Sequence, residues 1–166
     1  MLKKFVSSIL AVILLAGCSG SKADTADSAQ GGSSVSCAEI ASDLVKQLDL
    51  GEAVTEAKTR IVYGSFFNAR EGDENLPVSD AAAYLPADKN SDTVAVFRTS
   101  DAEAVTGMLD SYLSSQKALS EMYSPEEVFK ISNAIVETSK DGSLVVLVVC
   151  NDIETAKTKV SSVLGN

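Results

Sequence analysis

The sequence predicts an α+β fold: a two-layer domain in which helices cover one face of a mostly antiparallel sheet of about four strands. Three observations carry this. Residues 92–98 (DTVAVFR) and 144–149 (LVVLVV) are short runs rich in β-branched side chains, the composition of buried strands. Lys140-Asp141-Gly142 sits between two such runs, at 133–139 and 143–150, and Asp-Gly is a strong hairpin signal. Helical periodicity is confined to a few stretches, chiefly 101–123 and 152–165, with no regular strand–helix alternation, so a βαβ repeat is not expected.

The chain opens with MLKKFVSSILAVILLAGC. Lys3 and Lys4 give a cationic start, 5–15 an apolar run broken only by Ser7 and Ser8, and small residues lead to a cysteine. This is the build of a secretory signal peptide, too short in its apolar part for a permanent span of roughly 20 residues. Leu15-Ala16-Gly17-Cys18 resembles the bacterial lipobox. That resemblance implies cleavage after residue 17, lipid attachment at Cys18, and a domain tethered on the extracytoplasmic face of the cell membrane. Residues 18–36 hold no large apolar side chain except Val35, so they cannot offset their ordering entropy by burial. They read as a flexible tether with a span of roughly 25 Å.

The single domain is expected over 37–166. Ser36-Cys37-Ala38-Glu39 has the S-x-x-E pattern of a capping box, and Ile40, Ala41, Leu44, Val45 and Leu48 recur at helical spacing. A first helix over 37–50 follows, with Gly51 expected at the left-handed position beyond it. From Glu52 to Tyr63 a short helix fits slightly better than a strand, and Phe66 and Phe67 are expected to plug the core. Residues 70–75 (REGDEN) form a charged loop. The Ala-rich run 78–85, bordered by Pro77 and Pro86, reads as a weak edge strand. After the strand at 92–98, Ser100-Asp101-Ala102-Glu103 predicts a second capping box. It opens the longest helix, 101–123, whose stripe includes Val105, Leu109, Tyr112 and Leu113. Ser124-Pro125-Glu126-Glu127 predicts a third box and a short helix over 125–131. The hairpin comes next, and a helix capped by Asn151 or Asp152 ends the chain. The helices at 101–123 and 152–165 are expected on the same face of the sheet.

Composition excludes several function classes. Removing residues 1–17 from the 166-residue chain leaves 149, enough for one domain with a real core. It takes away two lysines and no acid, moving the net charge from −9 to −11. So acidic a chain suits neither nucleic acid, whose phosphates call for Lys and Arg, nor electrostatic adhesion to anionic lipid. Histidine is absent, which removes Ser–His and Cys–His hydrolases and imidazole-ligated zinc. Trp is absent and aromatics make up 5%, a poor basis for stacking sugars or bases. Of the three cysteines, Cys37 and Cys150 remain once Cys18 is acylated. They could form one disulfide outside the membrane, although two partly buried free thiols are the plainer reading.

No chemical motif stands up to its bland alternative. Ser114-Ser115-Gln116-Lys117 spells S-x-x-K, but it lies mid-helix with no downstream Ser-Asp-Asn or Lys-Thr-Gly. Residues 88–92 (DKNSD) place oxygens as a calcium loop would, yet Thr93 stands where Gly is needed and Thr99 where a bidentate Glu is needed. A polar turn before the strand explains them. Glu71, Asp73 and Glu74 read as a solvated loop. Glu126 and Glu127 point about 100° apart on a helix, and capping accounts for them. No metal and no cofactor is expected. Gln116, on an apolar stripe between Tyr112 and Tyr123, needs a partner or lines a ligand pocket; a structural Gln bonded to backbone is the simpler case.

The second half resembles a family of small lipoproteins of Gram-positive bacteria, domain of unknown function 4358. Val94-Ala95-Val96-Phe97-Arg98, Asp101 and Gln116 carry the resemblance. So do Tyr123-Ser124-Pro125-Glu126, Asn133-Ala134-Ile135-Val136 and residues 144–152. It spans about Ala82 to Leu164, with 37–81 matching only loosely. Where the family pattern often has an Arg one turn before the Gln, Tyr112 and Leu113 stand here. The family carries no assigned activity, so the resemblance implies an address and domain limits. The leading expectation is a lipid-anchored, non-catalytic protein that binds an envelope partner. A small-ligand or cation-binding lipoprotein serving a transporter or sensor comes second, and an acid-dependent hydrolase using Asp and Glu alone third.

Overall fold

The computed structural model describes residues 35–166. The expected leader, Cys18 with its expected acylation, and most of the stretch 18–36 expected as a tether lie outside the described residues. Five antiparallel strands form one sheet: β1 (Val54–Glu56), β2 (Val78–Pro86), β3 (Thr93–Thr99), β4 (Ile135–Thr138) and β5 (Leu144–Val149), in the order β1-β2-β3-β5-β4. The helices are α1 (Cys37–Gln47), α2 (Thr59–Phe67), α3 (Ala102–Tyr123), α4 (Val128–Ser132) and α5 (Ile153–Leu164), with a 3-10 turn at Pro125–Glu127 before α4.

The α+β class and the antiparallel sheet expected from the sequence are present. The sheet has five strands rather than about four, and its helices divide between both faces. The reason lies in β3 and β5, which pair from Thr93↔Val149 to Arg98↔Leu144 at the centre. Alternate residues on a strand point to opposite faces, and here both sets are apolar. Val94, Val96, Val146 and Val148 pack under α1 and α5 with Ala41, Leu44, Ala156 and Val160. Ala95, Phe97, Val145, Leu147 and Val149 pack under α2, α3 and α4 with Val62, Phe66, Val105, Leu109 and Ile131. Helices α3 and α5, expected on one face, therefore lie on opposite faces. A strand apolar on both sides needs cover on both sides.

Several local expectations are refined. The Ala-rich run β2 is not at the edge, because the short β1 pairs along it from Val54↔Pro86 to Glu56↔Tyr84. The segment 52–63 yields β1 as well as the start of α2. Phe66 does plug the core, edge-on to Phe97 at 5.3 Å between ring centres. Asp49, not Gly51, holds the left-handed position after α1, with φ 53°. Its N–H reaches Lys46 O and that of Leu50 reaches Val45 O, which is the Schellman pattern.

The caps also divide. Ser36 and Glu39 form a complete capping box on α1. At α3 the cap is Asp101, whose side chain accepts from Ala104 N, rather than Ser100. Ser124 makes no side-chain cap at all. Asp152 caps α5 by accepting from Thr155 N at 3.1 Å.

Because β5 is closed in by β3, β4 and helices on both sides, its side chains have no room to relax. Leu147, fully buried, is expected to cost about 2–5 kcal/mol when changed to Ala. Urea unfolding should show a lower midpoint at unchanged slope.

Candidate functional site

Polar chemistry gathers where β3 begins and β5 ends. Lys130 on α4 is 7% exposed and lies between two carboxylates, 3.0 Å from Glu127 Oε2 and 3.3 Å from Asp92 Oδ2. Glu127 Oε2 also accepts from the Ser91 backbone N–H at 2.8 Å and the Ser91 hydroxyl at 2.6 Å. The Asp92 N–H donates to Asn90 Oδ1, and the Asn90 amide donates to Ala53 O. Of residues 88–92, whose spacing suggested a calcium loop, Asn90, Ser91 and one oxygen of Asp92 thus spend their polar groups on the protein itself.

The electrostatics hold this cluster charged. Burial alone would push the Glu127 carboxyl up, but the hydrogen bonds from Ser91 and Lys130 outweigh it and leave the group below its ordinary value. Burial would likewise lower Lys130, and its two carboxylate partners more than reverse that. A lysine held protonated cannot serve as a nucleophile or base near neutral pH. The arrangement is an ionic clasp that ties the turn before α4 to the start of β3.

Beside the clasp lies a cleft of about 320 Å³ lined by residues that include Gln47, Asp49, Asp92, Cys150, Asn151 and Asp152. Asp92 Oδ1 is buried without a hydrogen-bond partner. The Cys150 thiol donates to Asp152 O at 3.5 Å. Its pKa is raised, first by burial and then by the Asp92 carboxylate, so it is a poor nucleophile. A second depression, of about 610 Å³, is an open dish over Gly64 and the loop Asn68–Asp73. There Asp73 is engaged with the Asn75 N–H and amide.

The residues singled out from sequence lie as follows. Tyr112 packs on Phe66 with ring centres 4.6 Å apart, and burial raises its phenol. Gln116 is half-buried one turn on, and Tyr123, further along the same side of α3, is 75% exposed. These three do not converge on any cleft described here. Cys37 and Cys150 are both buried free thiols, so the possible disulfide is absent. Cys37 bonds to Asp80, which pairs with Arg98 at one end of β3, while Cys150 follows Val149 at the other. Six strand residues, roughly 20 Å, separate the two ends, and a disulfide needs Cα atoms within about 7 Å. Burial, followed by Asp80, pushes the Cys37 thiol up to about 12.

The clasp was the feature missed from sequence. Ser124-Pro125-Glu126-Glu127 satisfies the capping pattern so well that Glu127 appeared accounted for. The signal available was Lys130 three residues on, a spacing that brings side chains together on a helix.

Comparison with known proteins gives one match. The family model described as Domain of unknown function (DUF4358) matches residues 76–150. That stretch runs from just before β2 to the end of β5, beginning earlier and stopping sooner than the resemblance over 82–164. It contains Ser91, Asp92, Glu127, Lys130 and Cys150, and leaves α1, β1, α2 and α5 outside. No curated protein and no solved structure matches the chain. Among the described residues no helix is long and apolar enough to cross a membrane, and no group of three or more Cys, Asp or Glu side chains is arranged to hold a metal.

Lys130→Ala is expected to destabilise the fold by about 3–5 kcal/mol at pH 7, because it leaves two buried carboxylates uncompensated. The parent has its Glu127 contribution in place above the ordinary 4.5 and its Lys130 contribution below the ordinary 10.5. Between those limits the clasp should add no slope. Denaturant titrations of both proteins at several pH values check this.

Proposed function

We propose that this protein is a lipid-anchored extracytoplasmic lipoprotein of a Gram-positive type, whose domain binds an envelope partner and catalyses no reaction of its own. The observation that carries the reading is the order of residues 1–18: two lysines, an apolar run, then Leu15-Ala16-Gly17-Cys18. Acyl chains buried at about 0.8 kcal/mol per CH₂ can hold an acidic protein at a bilayer without a basic patch. The match to DUF4358 over residues 76–150 supports the family resemblance from which that address is inferred. The lack of histidine, with a clasp that holds Lys130 protonated, favours binding over catalysis.

The test is acylation. In cells given radiolabelled palmitate, the full-length protein should carry label and fractionate with membranes. Cys18→Ser should lose the label and leave the membrane fraction. An unlabelled parent protein, or a variant that stays membrane-bound, would overturn the anchor.

A second reading, a small-ligand or cation-binding lipoprotein serving a transporter or sensor, is favoured by one feature. The cleft beside the clasp carries Asp49, Asp92 and Asp152 with no cationic side chain among its lining residues. A small amine or metal ion binding there should raise the thermal midpoint, with the logarithm of its concentration once that exceeds Kd, and Asp49→Asn should reduce that rise. A flat response to both classes leaves the partner-binding reading alone.

A further inference from the structure

Helix α3 is longer than the sheet it covers. Its 22 residues span roughly 33 Å at 1.5 Å per residue, whereas the 7 residues of β3 span roughly 23 Å. The helix starts just past Thr99 and returns toward the start of β3, where the turn that follows it bonds Ser91 through Glu127. About 10 Å therefore overhangs that end. Burial agrees: of α3, only Val105 and Leu109, in its first third, are fully buried. Yet the apolar pattern continues. At 100° per residue Tyr123 falls on the same side as Val105, and Leu119 lies one turn back along it. Leu119, Met122 and Tyr123 are 52%, 67% and 75% exposed, and Phe129 on the adjoining α4 is 60% exposed. Single exposed apolar residues are ordinary, but several on neighbouring elements are the makings of a recognition patch.

The chain reaches the domain at the opposite end. Arg98 donates to Val35 O at 2.7 Å, and Cys37 N donates to Asp80, both at the far end of β3.

We propose that the overhanging end of α3, with Phe129, is the docking face for an envelope protein that presents an apolar patch flanked by Lys and Arg. This rests on the partner-binding reading above. The charge of the chain selects among occupants. The exposed ionic groups around this end are Glu121 and Glu126 against Lys117, and the whole chain carries −9. Like charge disfavours a second copy and an anionic bilayer, and favours a basic partner.

The test uses the chain from residue 18 onward with Cys18→Ser, titrated with a short helical peptide bearing leucines on one face and lysines at its flanks. Binding is expected. It should fall several-fold as salt rises from about 50 to about 300 mM, and at least about tenfold in a Met122→Ala/Tyr123→Ala variant. Both positions are exposed, so the variant should keep the parent's thermal unfolding. Four results would overturn the proposal: no binding, equal binding by the variant, equal binding of a peptide with glutamates in place of lysines, or self-association that the double variant abolishes. Co-sedimentation with anionic phosphatidylglycerol vesicles that the variant loses would assign the face to lipid, and would also overturn it. None of these bears on acylation of Cys18, so the two readings fail separately.

Discussion

Everything in this fold answers to two strands that are apolar on both sides. Leu144 to Val149 contains no polar residue, and its partner β3 is buried on both faces from Thr93 to Phe97. Each buried side chain of this kind contributes about 1.5–3 kcal/mol only while water is excluded from it. The pair therefore needs a strand on each flank and helices above and below. Strand β2 with β1 closes one flank and β4 the other. Helices α1 and α5 close one face, and α2, α3 and α4 the other. The excursion from β3 to β4 carries α3 across the sheet and leaves the central slot for β5.

The ionic clasp belongs to the same logic. The chain leaves α3 beyond the end of the sheet and must turn back before β4 can pair. Lys130 and Glu127 reach from that turn to Ser91 and Asp92, the residues leading into β3. Buried ion pairs seldom add much stability over an apolar equivalent, but breaking one is costly. That asymmetry suits a device that fixes where a long helix ends. Of the two Asp92 oxygens, one meets Lys130 and the other has no partner, which makes this the least satisfied point of the described core.

Element positions were largely legible. Strands β3 and β5, the long helix, the terminal helix and the Asp-Gly hairpin stand close to where periodicity and turn chemistry put them. What the pattern did not show was sidedness. The absence of polar residues in LVVLVV marks a central strand, and the same fact implies helices on both faces, a step that the two-layer expectation omitted. β1 was hidden because three residues carry too little periodicity to register. The clasp was hidden because a glutamate in the third position of a helix looks alike whether it caps that helix or reaches a lysine one turn later. For Gln116, Tyr112 and Tyr123, a shared helix side was legible but the length of the sheet beneath was not.

The contacts at the start of α1 have a mechanical consequence. Val35 is held by the guanidinium of Arg98 on β3, and the Cys37 amide by the carboxylate of Asp80 on β2. Where the chain enters the described domain it is therefore tied to two strands as well as continuing into α1. A pull on residue 35 loads these two hydrogen bonds together with the packing of α1, so strands and helix share the load at that corner of the sheet.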